Sequence, residues 1–473
     1  MKRLVLIIII LIGITKAKAQ TYVSGGIYSN TTWTKAASPY IVTDHVVVFP
    51  DVILTIEPGV MIKFDSSKYL EIRHAKIIAQ GLSSDPITFT SNTAMPKPKS
   101  WYGVKITNNV IDTQKFSFCN FNYASNALSK ADSAYFNGKL IVKNCNFSDI
   151  GYSGLSSNGI CLVDSSTFRN CDIGAECDNG DFFINHCQFT KCKIAHKGGG
   201  SFSNSYTKNC ILDSNITAFE KYGGVVDSTI ITNNEKGVYN EFGHIKIKNC
   251  TISNNSIYGI YSGYGDSILN CILSNNGIGL ATGMSFVSRN QITNNKKGIL
   301  IIRYNYQATK MFIVCNKICN NFDYDISSEP LTVTTLNYPN NYWCTPDSAS
   351  TRSKILDGYK DVKLPIINFM PLDTLNCYGP VVTRIIESKT NETINIKLYP
   401  NPFTSTATLA FDNPQTKAHH LSIFNTLGQS VLSIENIKNN NIQIDRKGLQ
   451  SGMYYYRLSN TEGIVGSGKM LIE

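Results

Sequence analysis

Charge is what this sequence has least of. Asp, Glu, Lys and Arg make up 16% of its 473 residues, against roughly 25% in an average globular chain. No run of Lys or Arg gathers into a basic patch, which excludes a surface built to track nucleic-acid phosphates. No window sustains a 3.6-residue apolar period between helix caps, which excludes a helical bundle. Beyond the first residues no apolar run approaches the roughly 20 needed to cross a bilayer, so no transmembrane segment is expected once the N-terminus is removed. What the sequence has instead is Tyr (25) and Phe (22), 34 Gly, 14 Cys and many Asn, the profile of an all-β extracellular protein.

The N-terminus reads as targeting rather than structure. Lys2 and Arg3 precede the apolar run Leu4 to Ile14, and Ala17-Lys18-Ala19 gives a small-x-small cleavage site before Gln20. Residues 1–19 are therefore expected to be a signal peptide, with no Cys following it to carry a lipid. Its removal takes away Lys2, Arg3, Lys16 and Lys18, leaving 40 − 34 = +6.

A repeat fills the middle of the chain. Asn144-Cys145-Asn146-Phe147 recurs as Ser165-Ser166-Thr167-Phe168, His186-Cys187-Gln188-Phe189 and Asn209-Cys210-Ile211-Leu212. The apolar anchors continue at Ile231, Ile252, Leu273, Ile292 and Ile318, with steps of 21, 21, 23, 19, 21, 21, 19 and 26 residues from Phe147 onward. In the later units an Asn pair follows (Asn233-Asn234, Asn254-Asn255, Asn275-Asn276, Asn294-Asn295), and then a Gly before an aliphatic (Gly237-Val238, Gly259-Ile260, Gly279-Leu280). Short alternating stretches between Asn and Gly turns are strand signals. A period near 21 holds three short strands and three turns, one circuit of a coil. Leucine-rich repeats of similar length need a Leu-x-x-Leu-x-Leu scaffold that is missing, as is the nonapeptide of calcium-binding β-rolls. Stacking such coils about 4.8 Å apart pairs each strand with its equivalents; it lines the anchors into an internal column and lets turn asparagines form ladders. The rod would be roughly 60 Å long at that spacing.

This grammar resembles the right-handed parallel β-helix of pectate-lyase-like proteins. The opening segments fit the same family: Leu54-Thr55-Ile56-Glu57-Pro58-Gly59-Val60, Asp85-Pro86-Ile87-Thr88-Phe89 and Trp101-Tyr102-Gly103-Val104. So does the closing stretch Asn341-Tyr342-Trp343-Cys344 with Ile355-Leu356-Asp357. The resemblance implies an N-terminal cap and first coils over 20–115, and repeats with a closing cap over 116–375. A linker follows over 376–393. From 394 to 473, Tyr399-Pro400-Asn401-Pro402, then Gly452 with Tyr454, and finally Gly468-Lys469 resemble the type A C-terminal sorting domain of the type IX secretion system. Alternating Leu421 and Ile423 and the Tyr454-Tyr455-Tyr456 run point to about seven short strands, a small Ig-like β-sandwich. The resemblance implies an all-β, secreted or cell-surface protein whose C-terminal domain is read by the type IX translocon.

Fourteen cysteines in an exported chain invite a disulfide framework. Cys119, Cys145, Cys187, Cys210, Cys250 and Cys271, however, all stand two residues before an anchor, on the same face as it. These are expected as a stacked column of buried thiols, with Cys171 and Cys192 as a second stacked pair. Cys161, Cys177, Cys315, Cys319, Cys344 and Cys377 are freer to bond. Cys315-x-x-x-Cys319 lacks a matching pair at zinc spacing, so no metal and no cofactor is expected.

Candidate chemistry lies on one outward row. Glu176, Lys197 and Glu220 begin it and Tyr239 and Tyr261 continue it, with Phe242, Tyr258 and Tyr264 nearby. The charges read as a surface ion-pair ladder. The tyrosines are a candidate sugar platform, with Glu241 and Asp266 as hydrogen-bonding partners, or else a cross-strand aromatic pair that only steadies the sheet. Asp178 and Asp181 lie close without the Asp-Asp, His and Arg-x-Lys set of polygalacturonase-like sites, and His186 and His196 read as solvated or structural. No catalytic residue is identified. Asp132-Ser133-Ala134, Asp266-Ser267-Ile268, Asp347-Ser348-Ala349 and Asp373-Thr374-Leu375 resemble the O-glycosylation sequon of bacteria with this secretion system. Three functions fit: a non-catalytic glycan-binding or adhesive rod, a polysaccharide lyase or glycoside hydrolase, and a structural surface component.

Overall fold

From residue 114 onward the coils turn two corners in a left-handed backbone conformation, and the sequence supplies residues that tolerate it. In the computed structural model, the first corner holds Asn144, Ser165, His186, Asn209, Ser228, Asn249, Asn270 and Arg289 at φ between 49° and 58°. The second holds Asn170, Lys191, Ser214, Asn233, Asn254, Asn275, Asn294 and Asn320 at 53° to 59°. Asn is the non-Gly residue that accepts this region most readily, which explains the first Asn of each Asn-Asn pair. The structure describes residues 20–373 and 396–473, apart from 108–112, 131–137, 178–179, 199–204, 221–222, 304–310, 415, 426–429, 447 and 461–462. The expected signal peptide and linker, together with Asp132, Asp178 and Cys377, lie outside the described residues.

Between corners run three strands per coil, all pairing in parallel. One face of the solenoid is a 13-stranded sheet, and a 25-stranded sheet folds over the other two. Register is kept coil by coil: Phe121 pairs with Phe147, Phe147 with Phe168, Phe168 with Phe189 and Phe189 with Leu212. The anchors therefore form the expected internal column. From Phe89 to Phe189 its rings stack at 4.6–4.9 Å between centroids and within 4° of parallel. Isolated aromatic pairs prefer an offset or edge-to-face arrangement; here backbone register imposes the near-parallel stack.

The second Asn of each pair points inward and forms a ladder. Asn255 Nδ2 donates to Asn276 Oδ1 at 2.9 Å and its backbone N–H donates to the same oxygen at 3.0 Å. Asn276 repeats both bonds to Asn295, at 2.9 and 3.0 Å. Each amide also donates to a carbonyl of the preceding coil, as Asn276 does to Ile252 O at 3.0 Å. A second ladder, Asn290–Asn316–Asn341, runs beside it at the first corner. Gly237, Gly259 and Gly279 follow from this: a Cβ on Gly259 would sit 2.6 Å from Gly279 O and 3.0 Å from Asn276 Nδ2.

The rod closes at Asn341–Phe369. Asn341 ends its ladder, Ile355–Leu356 pairs with Ile326 and Ser327, and buried Asp357 takes Arg352 and the Ile367 N–H. The chain divides into two units, 1–382 and 383–473. The second is antiparallel, with three strands in one sheet and four in another around Leu409, Leu421, Ile423, Ile444, Leu458 and Met470. These are the seven strands expected there.

The thiols sit where their spacing placed them. Cys119, Cys145, Cys187, Cys210, Cys250 and Cys271 are buried and unbonded, as are Cys171 and Cys192, and Cys161 and Cys177 are buried thiols too. Cys319 bonds to Cys344, and Cys315 is disulfide-bonded as well.

Candidate binding site on the outward row

The third strand of each coil ends in a short turn, and its outward residues stack into one row. Pairing runs Glu176–Lys197–Glu220–Tyr239–Tyr261–Ala281–Leu300. The alternation that puts Val238 and Ile260 inside puts Tyr239 and Tyr261 outside. Glu176 is covered to 5% exposure.

At Tyr239 the row changes from charges to rings. Tyr239 and Tyr261 stack with centroids 4.9 Å apart and 25° between planes. The Lys236 ammonium lies 4.7 Å from the Tyr239 centroid, so Tyr239 is flanked by a ring and a cation. Tyr258 meets Tyr261 edge-on at 5.4 Å. On the next coil the row passes to Ala281, whose methyl is fully covered. Burial raises the Tyr239 phenol above its usual range, and the nearby Glu241 carboxylate raises it further. Tyr261 is raised by burial first and then by Tyr239 and Glu241. Both phenols, as neutral groups, can donate hydrogen bonds, and the exposed Glu241 carboxylate lies in the same electrostatic surroundings.

One expected member is elsewhere. Asp266 does not join the tyrosines: it faces the interior at 1% exposure. Its carboxylate accepts Asn240 Nδ2 at 2.8 and 2.9 Å, the Ile245 N–H at 2.9 Å and Ser262 Oγ at 2.7 Å. Asp266 opens a strand, and alternation there points it inward. Burial raises it to about 6. The tripeptide Asp266-Ser267-Ile268 accordingly lies in a strand rather than an open loop, whereas Asp347-Ser348-Ala349 is the exposed start of a short helix, with Asp347 capping it. Tyr264 stands at the following corner, 5.5 Å from the His244 ring and 39% exposed. Phe242 is 47% exposed.

The other candidates have structural surroundings. His186 pairs with Asp164 at 3.3 Å on a corner. His196 lies inside against Phe219, with Thr207 Oγ1 3.0 Å from its Nδ1. The register that turns Lys197 outward turns the adjacent His196 inward, at the place Ala175 holds on the preceding coil.

In the C-terminal unit the residues that carry the sorting resemblance meet. Asn401 Oδ1 accepts the Leu471 N–H at 2.8 Å and its amide donates to Lys469 O at 3.1 Å. Gly468 lies under Tyr456, where a Cβ would sit 2.4 Å from the phenol oxygen. Gly452 has φ 147°, Tyr454 donates to Gln450 O at 2.9 Å, and Lys469 is exposed beside Tyr455. Tyr399 is 55% exposed, and Pro400 and Pro402 flank Asn401.

Three family comparisons match this chain. Residues 25–139 match the pectate-lyase like beta helix domain, 135–296 the right handed beta helix region, and 397–473 the secretion system C-terminal sorting domain. No curated protein matches it. Among solved structures it is similar to the enzymatically active domain of Bacteriophage CBA120 tailspike protein 2. Identity is 9%, coverage 91% of this chain and 72% of that one, and the TM-score 0.17.

Proposed function

Because the chain is a right-handed β-helix protein sorted through type IX secretion to the cell surface or the medium, we propose that it is a non-catalytic glycan-binding or adhesive rod. The supporting observation is the change in the outward row, from Glu176–Lys197–Glu220 to the Tyr239–Tyr261 stack and then to Ala281. A pyranose lays its C–H face against the half-exposed Tyr239–Tyr261 pair. Its hydroxyls then reach Glu241 and the phenols. A ring face against a sugar face needs no catalytic array, and neutral phenols suit it.

The test is a glycan array run beside a polysaccharide-degradation screen on the mature secreted protein. Binding without released product, lost in Tyr261→Ala and weakened in Glu241→Gln, is the expected result. Released oligosaccharide makes the protein a lyase or hydrolase and overturns the reading. Silence in both assays leaves the structural surface role.

A further inference from the structure

The cysteines of the interior columns come in twos. Read along the rod, the first-corner column is Cys119, Cys145, Ser166, Cys187, Cys210, Thr229, Cys250, Cys271 and then Asn290, Asn316 and Asn341. The second-corner column runs from Ile150 to Cys171 and Cys192 and continues as asparagines from Asn215. A column filled by side-chain size alone has no reason to place cysteines in doublets.

Each doublet is followed by a residue that accepts the backbone N–H of its second cysteine. Ser166 Oγ takes Cys145 N at 3.1 Å, Thr229 Oγ1 takes Cys210 N at 3.4 Å, Asn290 Oδ1 takes Cys271 N at 2.8 Å and Asn215 Oδ1 takes Cys192 N at 2.9 Å. Within each doublet the two side chains occupy successive places of one column, in register on adjacent coils. The unit is thus a pair of adjacent coils closed by an acceptor on the third.

We propose that these eight thiols, which stand unbonded in the structure, are the reduced form of four coil-to-coil disulfides that close during export, Cys119–Cys145, Cys171–Cys192, Cys187–Cys210 and Cys250–Cys271. The same molecule shows that such a bond fits the fold. Cys319 and Cys344 occupy equivalent positions on adjacent coils, two residues beyond the paired Lys317 and Tyr342, and are bonded with Cα atoms 5.9 Å apart. Stacked coils hold equivalent Cα atoms about 4.8 Å apart, inside the range of roughly 4.4–6.8 Å that disulfides span. An exported chain also passes through an oxidising compartment.

Each closure joins two sulfurs and removes two protons and two electrons from the pair. The electrons pass by thiol–disulfide exchange to a disulfide-bearing oxidoreductase of that compartment, which leaves as a dithiol. Exchange needs a thiolate and access. In the stacked rod access is lost, since the eight side chains are at most 2% exposed, and burial pushes the Cys119 and Cys250 thiols up. Closure therefore precedes or accompanies coil stacking, and afterwards the bonds are shielded from reductant.

The experiment alkylates the full secreted protein with N-ethylmaleimide in concentrated guanidinium chloride, with and without prior reduction, and maps the sites by mass spectrometry. The expected result is that none of the eight labels without reduction, all eight label after it, and cross-linked peptides show the four stated pairs. In Cys145→Ser, which places the residue found at Ser166 in the same column, Cys119 becomes labelled without reduction while the other six stay protected. Labelling of all eight in the unreduced protein overturns the proposal, as does any other connectivity. So does a Cys145→Ser variant whose label count only falls by one.

Discussion

The two halves of the solenoid solve one problem with different chemistry. From Phe89 to Phe189 the coil interior is filled by stacked rings with thiols beside them. From Asn215 onward the anchors shrink to Leu and Ile, and the second-corner column becomes an amide ladder in which every rung bonds to the next, joined by the first-corner column from Asn290. The backbone path and the corner conformations barely change between them. Coil geometry is therefore set by register and the two left-handed corners, and the interior needs only a column that can repeat at the coil spacing. A ring stack meets that need through dispersion and burial. An Asn ladder meets it through hydrogen bonds and fails harder when a rung is lost, because its neighbours are left buried and unpartnered.

The sharpest way to break that comparison is to remove a rung. Asn276→Ala deprives the Asn255 N–H and amide of their acceptor and the Ile252 carbonyl of its extra donor. With about 1–3 kcal/mol for each buried group left unsatisfied, a loss of about 5 kcal/mol is expected in denaturant unfolding. Phe147→Ala, which opens a cavity between Phe121 and Phe168, should cost about 4 kcal/mol. Phe147→Leu, which copies Leu212 in the same column, should cost less than about 1.5 kcal/mol. A ladder variant milder than the Leu replacement would show that the amides only fill space.

Much of this architecture is legible in the order of the residues. The 21-residue period, the anchors and the Gly-aliphatic step define the coil, because a solenoid writes its register into the chain once per turn. The seven strands of the C-terminal unit are readable from alternation. The outward row is legible for the same reason, down to the pairing of Glu220 with Tyr239 and of Tyr239 with Tyr261. Asp266 is not. Proximity along the chain puts it near Tyr264, but a turn separates them in space, and whether a strand's first residue points in or out depends on a corner geometry that composition does not reveal.

Asp266 supplies the next test. Its folded pKa of about 6 stands above the ordinary 3.8, so the fold favours the protonated acid. That contribution is fully present below 3.8 and is lost as pH rises to about 6. Above that the buried carboxylate costs on the order of 3 kcal/mol relative to acid conditions. Thermal unfolding of the native chain should therefore weaken between about pH 4 and pH 7 by more than in Asp266→Asn, which keeps a side-chain acceptor but does not titrate. Parallel pH profiles for the two proteins would mean that water or a rearrangement relieves the charge.

The smallest effect belongs to the outward row, where the two halves meet solvent. Glu241→Gln removes the negative charge that adds to burial in raising the Tyr239 phenol. Titration followed by tyrosinate absorbance should show one phenol moving down in this variant, with unfolding stability unchanged within about 0.5 kcal/mol, as for an exposed surface substitution. Tyr261, raised by the same carboxylate after burial and Tyr239, should move in the same direction by less. If neither phenol moves, Glu241 does not reach the ring pair in solution, and Tyr239–Tyr261 is better read as a cross-strand contact that steadies two coils. If both move while the fold holds, the carboxylate and the phenols share one electrostatic environment at the surface. That is the condition a sugar hydroxyl would need in order to bridge them.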